Sequence, residues 1–330
     1  MQYGVLLEGS VQNPYSGRMM SNGQIYKLKE YVRKKIIRLT GINRFPGSHP
    51  VSLTKTGVTV DMRRDRYYVC EKTDGERYLL FVAGKYGCFL INRKNQYYWV
   101  KIAVPKYQWG DVWPPKFGLP PNWQCEDHLF DGELVVGFDK TPVFYAFDTL
   151  AAGSNIMNLP LTDRLRIIHC NLVGPRQKFS EWKSMFHGEP FLIKAKAMYR
   201  AEDVKFVFEN VLPNLPHEQD GLIFTPVDKP YRPGTDFGLF KWKPPSMNSV
   251  DFLFKEPDKL YCSRRGSLEH VATLEDSICA SNTIIECVIK DGKWVVMRTR
   301  EDKTGPNDIG VYHKIMESIR EPVLKEHLLL

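Results

Sequence analysis

The sequence has no CxxC pair, no long apolar run, no internal repeat and no low-complexity tract. Its seven cysteines are odd in number and scattered. Neither a zinc ribbon nor a disulfide framework is therefore indicated, and a reducing, intracellular compartment is expected. No apolar stretch approaches the ~18 residues of a membrane span. The opening MQYGVLLEGS lacks the basic and apolar regions of a signal peptide. What is present is ordinary globular chemistry. The 330 residues are 43% hydrophobic and 25% charged, which argues against disorder and is enough for two domains. Lys and Arg number 46 against 38 Asp and Glu, a formal charge of +8. That excess suits a polyanion such as nucleic acid or nucleotide phosphate, although a basic solvated surface gives the same balance.

SNGQIYKLKEYVRKKIIRLTG has the pattern of an amphipathic helix capped by Ser21 or Asn22, with Ile25, Leu28, Val32 and Ile36 on one face and Gly41 at its end. An extended segment, RFPGSHPVSL, follows. DRYYVCEK, ERYLLFVAG and GCFLINRKNQYYWV are aromatic and β-branched and read as strands. Residues 104–127, rich in proline and tryptophan, suit a long surface loop. FDGELVVGFDKTPVFYAFDTL reads as a hairpin turning near Asp139-Lys140. Helices are expected around 162–171 and 201–212, then strands in DGLIFTPVD and GLFKWKP. Two prolines in KWKPPSMNSVDF suggest a hinge. Beyond it, short strands with a turn at Asp291-Gly292 suit a small barrel of OB-fold size, and DIGVYHKIMESIR reads as a closing helix. The expected fold is α+β, with domains at 1–243 and 244–330, and the last helix is free to pack back on the first domain.

The chemistry concentrates at EKTDGERYLL. Lys72 is flanked by strand residues, and Asp74-Gly75 bends the chain after it. An amine attacks at neutral pH only if its pKa falls below about 10.4, which neighbouring cations or a metal bring about. An isolated KxDG is more often a surface turn with a solvated lysine. Here it is accompanied by Glu133 in FDGELVV, Asp220 in DGLIF, and Lys241 and Lys243 in FKWKP. Residues two apart in a strand share a face, so Lys241 and Lys243 point one way and Trp242 the other. Two ammonium groups on one face suit a phosphate chain, and carboxylates at 133 and 220 suit ribose hydroxyls or a divalent metal. Lys194 and Lys196 in FLIKAKAMY suit either a face toward phosphate or RNA or, more commonly, a solvated strand face.

These elements, in this order, resemble the covalent lysyl-nucleotidyltransferases, the polynucleotide ligases and mRNA capping enzymes. KTDG resembles the nucleophile motif. DGELVV, FYAFDTL, DGLIF and FKWKPP resemble the motifs lining the nucleotide pocket, and the likeness runs from about residue 44 to 308. FPGSHPVSL, KWKPPSMNSVDF and the Arg300-Asp302-Lys303 RxDK ending lean to the guanylyltransferase branch. The resemblance implies a two-domain nucleotidyltransferase of antiparallel sheets flanked by helices, followed by an OB-fold. It implies that Lys72 attacks the α-phosphate of GTP, releases pyrophosphate and forms lysyl-GMP. The GMP then passes to a 5′-diphosphate RNA end to give a GpppN cap. By matching position, Thr73 and Asp74 belong to the nucleotide site, Arg77 and Glu133 contact the ribose, and Arg93 contacts sugar or phosphate. Phe147 stacks on guanine, and Lys241 and Lys243 hold phosphates. Arg300, Asp302 and Lys303 act on the β- and γ-phosphates from the lid. Glu133, Asp220 and Asp251 are the candidate carboxylates for Mg²⁺ or Mn²⁺. One departure stands in YRPGTDFGLFKWKP, where Thr235 occupies the spacing at which some relatives have arginine and Arg232 lies further back.

HCNLVGPR, from His169 to Arg176, has the CxxxxxR spacing of cysteine phosphatases. Such a loop should follow a buried strand and open a helix, whereas LTDRLRIIHC reads as a helix leading into it. A separate RNA triphosphatase is therefore expected, as are the phosphorylated RNA polymerase II tail as a partner and the nucleus as location (the cytoplasm for a cytoplasmic virus). Two other readings share the scaffold. One is an ATP-dependent polynucleotide ligase. The other is an inactive module that binds RNA ends or the polymerase tail, against which the intact Lys72, Glu133, Asp220, Lys241 and Lys243 argue.

Overall fold

A computed structural model describes the chain except residues 1–2, 15, 84–85, 103–126, 175, 177–187, 276–279 and 330. The expected loop over 104–127 falls almost wholly outside the described residues. The chain divides into two compact units. The first comprises Met1–Val51, Asp65–Gln219 and Phe224–Leu239, and the second Ser52–Arg64, Asp220–Ile223 and Phe240–Leu330. The strands Gln219–Pro226 and Gly234–Trp242 contribute residues to both.

The first unit is built on a large sheet whose central strands are Glu76–Ala83, Asp127–Val136 and Pro142–Ala152, paired antiparallel. Leu192–Ala195 joins Pro142–Ala152 in parallel. Both faces of the sheet are covered, which is why these strands read as nearly continuous apolar runs. One face packs Tyr78, Leu80, Phe130 and Phe144 with residues of the 161–173 helical segment. The other packs Leu79, Phe81, Leu129 and Leu150 against Ile25, Leu28, Val32 and Ile36 of the helix Asn22–Thr40. That helix has the predicted stripe, and its Ser21 and Gln24 form a reciprocal capping box. GCFLINRKNQYYWV is two strands, Cys88–Asn92 and Tyr97–Val100. The Asn92 side chain accepts from the backbone of Lys94 and Gln96 and turns the chain between them. The second expected helix, around 201–212, is a run of short 3₁₀, α and π turns over 201–214.

The second unit carries a five-stranded antiparallel sheet ordered Ser267–Thr273, Lys259–Arg264, Ser249–Lys255, Thr283–Lys290 and Lys293–Thr299. Val250, Phe252, Phe254, Leu260 and Ile285 form its core. The helix Ile309–Arg320, free in the sequence reading to pack on the first domain, lays Ile309, Tyr312 and Ile315 against this core.

Candidate active site

Lys72 lies near the end of the strand Tyr67–Thr73 and is half-buried, while its neighbours Glu71 and Thr73 are buried. Gly75 follows Asp74 because nothing larger fits. A Cβ there would lie 2.7 Å from the Leu134 carbonyl and 3.0 Å from Glu133 Cγ. The Asp-Gly bend thus presses the Lys72 strand end against the strand bearing Glu133. Asp74 donates its backbone N–H to the Glu218 carbonyl at 3.2 Å.

Glu133 sits among cations. Burial raises its pKa, and Lys196, Lys72, Arg77 and Arg93 oppose that rise. Arg77 stands opposite Glu133 in the ladder. Its guanidinium reaches diagonally to Asp131, with Nε to Oδ1 at 2.9 Å and Nη2 to Oδ2 at 2.5 Å. Burial disfavours the Arg77 charge, but Asp131 and Tyr231 outweigh it and its pKa rises. The rings of Phe45 and Phe147 flank the guanidinium at 5.9 and 5.5 Å. Phe147 is the extra residue of a β-bulge, since Ala146 pairs with Gly132 and Asp148 with Asp131. The bulge lets buried Asp148 turn inward to meet Arg164, Nε to Oδ1 at 2.7 Å, while Phe147 remains half-buried beside Arg77. Phe147, Arg77, Glu133, Arg93 and Lys72 are therefore brought together, as the sequence reading expected of a nucleotide site.

Lys196 departs from that reading. It is 5% exposed, where a solvated strand face was expected; Lys194 alone is exposed. Its ammonium meets Glu71 Oε1 at 2.7 Å, donates to the Thr73 hydroxyl and lies 5.4 Å from the centre of the Tyr145 ring. His217 approaches the same Glu71 oxygen at 3.7 Å. A single lysine in an alternating pattern carries no sign of this. The only available signal was the buried-looking EKT on the nucleophile strand, whose Glu71 needs a cation once desolvated.

The second unit holds the remaining candidates. Gly221 has φ 142°, and a Cβ on it would lie 1.9 Å from the Trp242 carbonyl. The glycine after Asp220 is thus required by close backbone approach, and Asp220 meets Lys243 at 2.5 Å. Trp242 is buried, with Nε1 donating to the Val323 carbonyl at 2.7 Å, while Lys241 and Lys243 are half-buried on either side of it. This is the alternation the sequence predicts. Arg300 donates to both oxygens of Asp302 at 2.8 Å and to Asp251 at 2.9 Å. Lys303 donates to the other Asp251 oxygen. Asp251, expected near metal or phosphate, thus has both oxygens on the RxDK cations. The hydrogen bond from Arg300 holds the Asp302 carboxyl below its usual range.

Cys170 of the HCNLVGPR stretch lies inside a helical segment, Ile168–Val173, not on a loop after a strand. Arg176 donates to the Leu172 carbonyl and to Glu189. The geometry of a phosphate-binding cysteine loop is not what this segment adopts.

Residues 16–245 match the family model for the mRNA capping enzyme catalytic domain, and residues 253–329 that for its C-terminal domain. Among curated proteins, the mRNA-capping enzyme subunit alpha of Yarrowia lipolytica is 30% identical over 86% of this chain and 81% of its own. The Schizosaccharomyces pombe protein of the same name is 30% identical over 90% of this chain and 83% of its own. The ligase domain of Mycobacterium tuberculosis LigD covers 78% of this chain and 95% of its own at 13% identity and a TM-score of 0.36. The chain belongs to the mRNA capping enzyme family, a family of nucleotidyltransferases.

Proposed function

We propose that this chain is the GTP:mRNA guanylyltransferase of its family and that Lys72 is the nucleophile. The observation that carries the reading is the convergence of Lys72, Arg77, Arg93 and Lys196 on half-buried Glu133, with Phe147 beside Arg77. A concentration of cations on one side of a strand-end lysine suits a triphosphate. The Lys72 Nζ bonds to the α-phosphorus as the bond to the bridging oxygen breaks, and pyrophosphate leaves with that oxygen. The amine loses its proton and a phosphoramidate remains. The β-phosphate oxygen of a 5′-diphosphate RNA then displaces Lys72 and takes the GMP. Phe147 stacks on the base, Glu133 and Arg77 bind the ribose, and Arg93 binds sugar or phosphate. Thr73 and Asp74 complete the wall. Lys241 and Lys243 bind phosphates, and Arg300 and Lys303 neutralise the leaving pyrophosphate, a charge that grows in the transition state.

The described residues contain no group of three His, Cys, Asp or Glu side chains able to hold a metal ion. Asp220 and Asp251 face lysines and an arginine of the protein itself. These carboxylates do not form a protein cage. Mg²⁺ chemistry commonly uses one or two carboxylates with substrate phosphates, so Mg²⁺ or Mn²⁺ is assigned to the nucleotide as its complex. We place the domain boundary near 243–244 and read the five-stranded second sheet as an OB-fold, whose strand number it has. The Yarrowia lipolytica and Schizosaccharomyces pombe relatives are named subunit alpha. That wording supports a separate partner subunit, which we assign as the RNA triphosphatase. Association with the phosphorylated RNA polymerase II tail and a nuclear location complete the proposal.

The test is incubation with α-labelled GTP or ATP and Mg²⁺ or Mn²⁺, followed by denaturing electrophoresis, for wild type and Lys72→Ala. Label retained from GTP alone, and absent from the folded variant, is the expected result. Label from ATP moves the protein to ligase chemistry. Label from neither leaves a binding module.

A further inference from the structure

Arg77 is held by three chain segments far apart in sequence, and they meet at one hydroxyl. The Tyr231 hydroxyl donates to Asp131 Oδ2 at 2.5 Å. The Tyr231 hydroxyl oxygen also accepts the Ser48 backbone N–H at 2.7 Å and lies 3.3 Å from Arg77 Nη2. The Ser48 carbonyl accepts from Arg77 Nη1. Tyr231 is itself fixed. Its backbone N–H bonds the Met157 carbonyl at 2.8 Å, its ring is 8% exposed within an apolar cluster, and the Arg164 guanidinium lies 5.8 Å from its centre. Burial and the neighbouring Asp131 charge raise its pKa far above the ordinary tyrosine value, so the hydroxyl keeps its proton.

A donor count gives this arrangement its consequence. A guanidinium has five N–H bonds. Arg77 Nε donates to Asp131, Nη2 to Asp131 and Tyr231, and Nη1 to Ser48. One N–H, on Nη1, is left for a ligand. Asp131 alone would fix one edge of the fork, through Nε and Nη2, but a carboxylate held from one side can swing. Tyr231 bonds the carboxylate and the fork together and ties both to the segment carrying Ser48. We infer that Tyr231 is a positioning residue that locks the Arg77 fork, leaving one N–H aimed at one ribose hydroxyl of the bound nucleotide. The inference rests on the proposed nucleotide role of Arg77 and extends it to Tyr231, which opens the stretch YRPGTDFGLFKWKP but has no role assigned from sequence.

The test compares rates of covalent adduct formation with GTP, 2′-deoxy-GTP and 3′-deoxy-GTP for wild type, Tyr231→Phe and Arg77→Lys. The wild type should discriminate against one of the two deoxynucleotides. In Tyr231→Phe that preference should fall by about tenfold, the scale of one neutral hydrogen bond. Tyr231→Phe placed on Arg77→Lys should then change it no further. A merely structural role would slow all three nucleotides equally. An unchanged preference in folded Tyr231→Phe overturns the inference, as does equal slowing of the three. If Tyr231→Phe is recovered unfolded, Tyr231→Met carries the same expectation. If wild-type protein forms no adduct with GTP, the functional reading fails, which is a distinct result.

Discussion

Arg77 and Arg300 each meet a carboxylate through two nitrogens, yet the two forks are built differently. Around Arg77 the side chains of the pair are 8% and 0% exposed, and a tyrosine hydroxyl and a backbone carbonyl complete the shell. Around Arg300 the Asp302 side chain is 66% exposed, Lys303 33% and Arg300 16%, with Asp251 and Glu286 as the more deeply held partners. A buried fork in low dielectric has one geometry, and breaking it leaves a charge stranded. An exposed fork is screened by water and salt and exchanges partners readily. The first suits a template that receives a ribose in a fixed place. The second suits cations that leave a local carboxylate for an incoming phosphate. In the proposed roles, the same ion-pair chemistry serves two purposes because burial differs.

Four outcomes would break or sharpen this contrast. Lys72→Ala should abolish the covalent GMP adduct while leaving the thermal unfolding midpoint of the protein unchanged, because Lys72 is half-buried and belongs to neither fork. A large midpoint loss would mean that the site and the scaffold are not separable. Asp131→Asn should destabilise the protein by about 3–5 kcal/mol in urea unfolding, since it leaves the buried Arg77 charge without its partner. A change near zero would show that the fork is solvated and the contrast false. The first unit should also carry a pH signature. His128 is buried, and burial lowers its pKa from 6.5 to about 4. The unfolded chain therefore binds the proton more tightly between those values, so stability is full above pH 6.5 and falls as pH drops toward 4, by about 3 kcal/mol. His128→Asn should flatten urea midpoints across that window; an unflattened curve would assign the loss elsewhere. Smallest of all, Asp302→Asn should leave the urea midpoint unmoved, because its carboxylate is in water. A midpoint shift comparable to that of Asp131→Asn would erase the distinction between the forks.

Much of the site was legible because the backbone demands it. KTDG and DGLIF require glycine where a second strand approaches within van der Waals contact, at Gly75 and Gly221, and those requirements survive as short motifs. The alternation at Lys241, Trp242 and Lys243 follows from the period of a strand. Lys196 was not legible. Alternation placed it beside Lys194, and only the fold shows that one of them enters the interior to meet Glu71 and Thr73. Tyr231 was not legible either, because its value lies in contacts with Ser48 and Asp131, 183 and 100 residues away.

The sequence by itself therefore determined the periodic and local features. The helix capped by Ser21, the strands, the Asp-Gly bends and the order of the nucleotide motifs are each set by a few adjacent residues. Only the tertiary structure decided which charges are buried and which are wet. Desolvation depends on what covers a residue, and the covering groups here come from distant segments. It also set the bulge at Phe147, because a bulge is a property of two paired strands. The arrangement around Arg77 arises where three segments meet, a relation that no window of sequence contains.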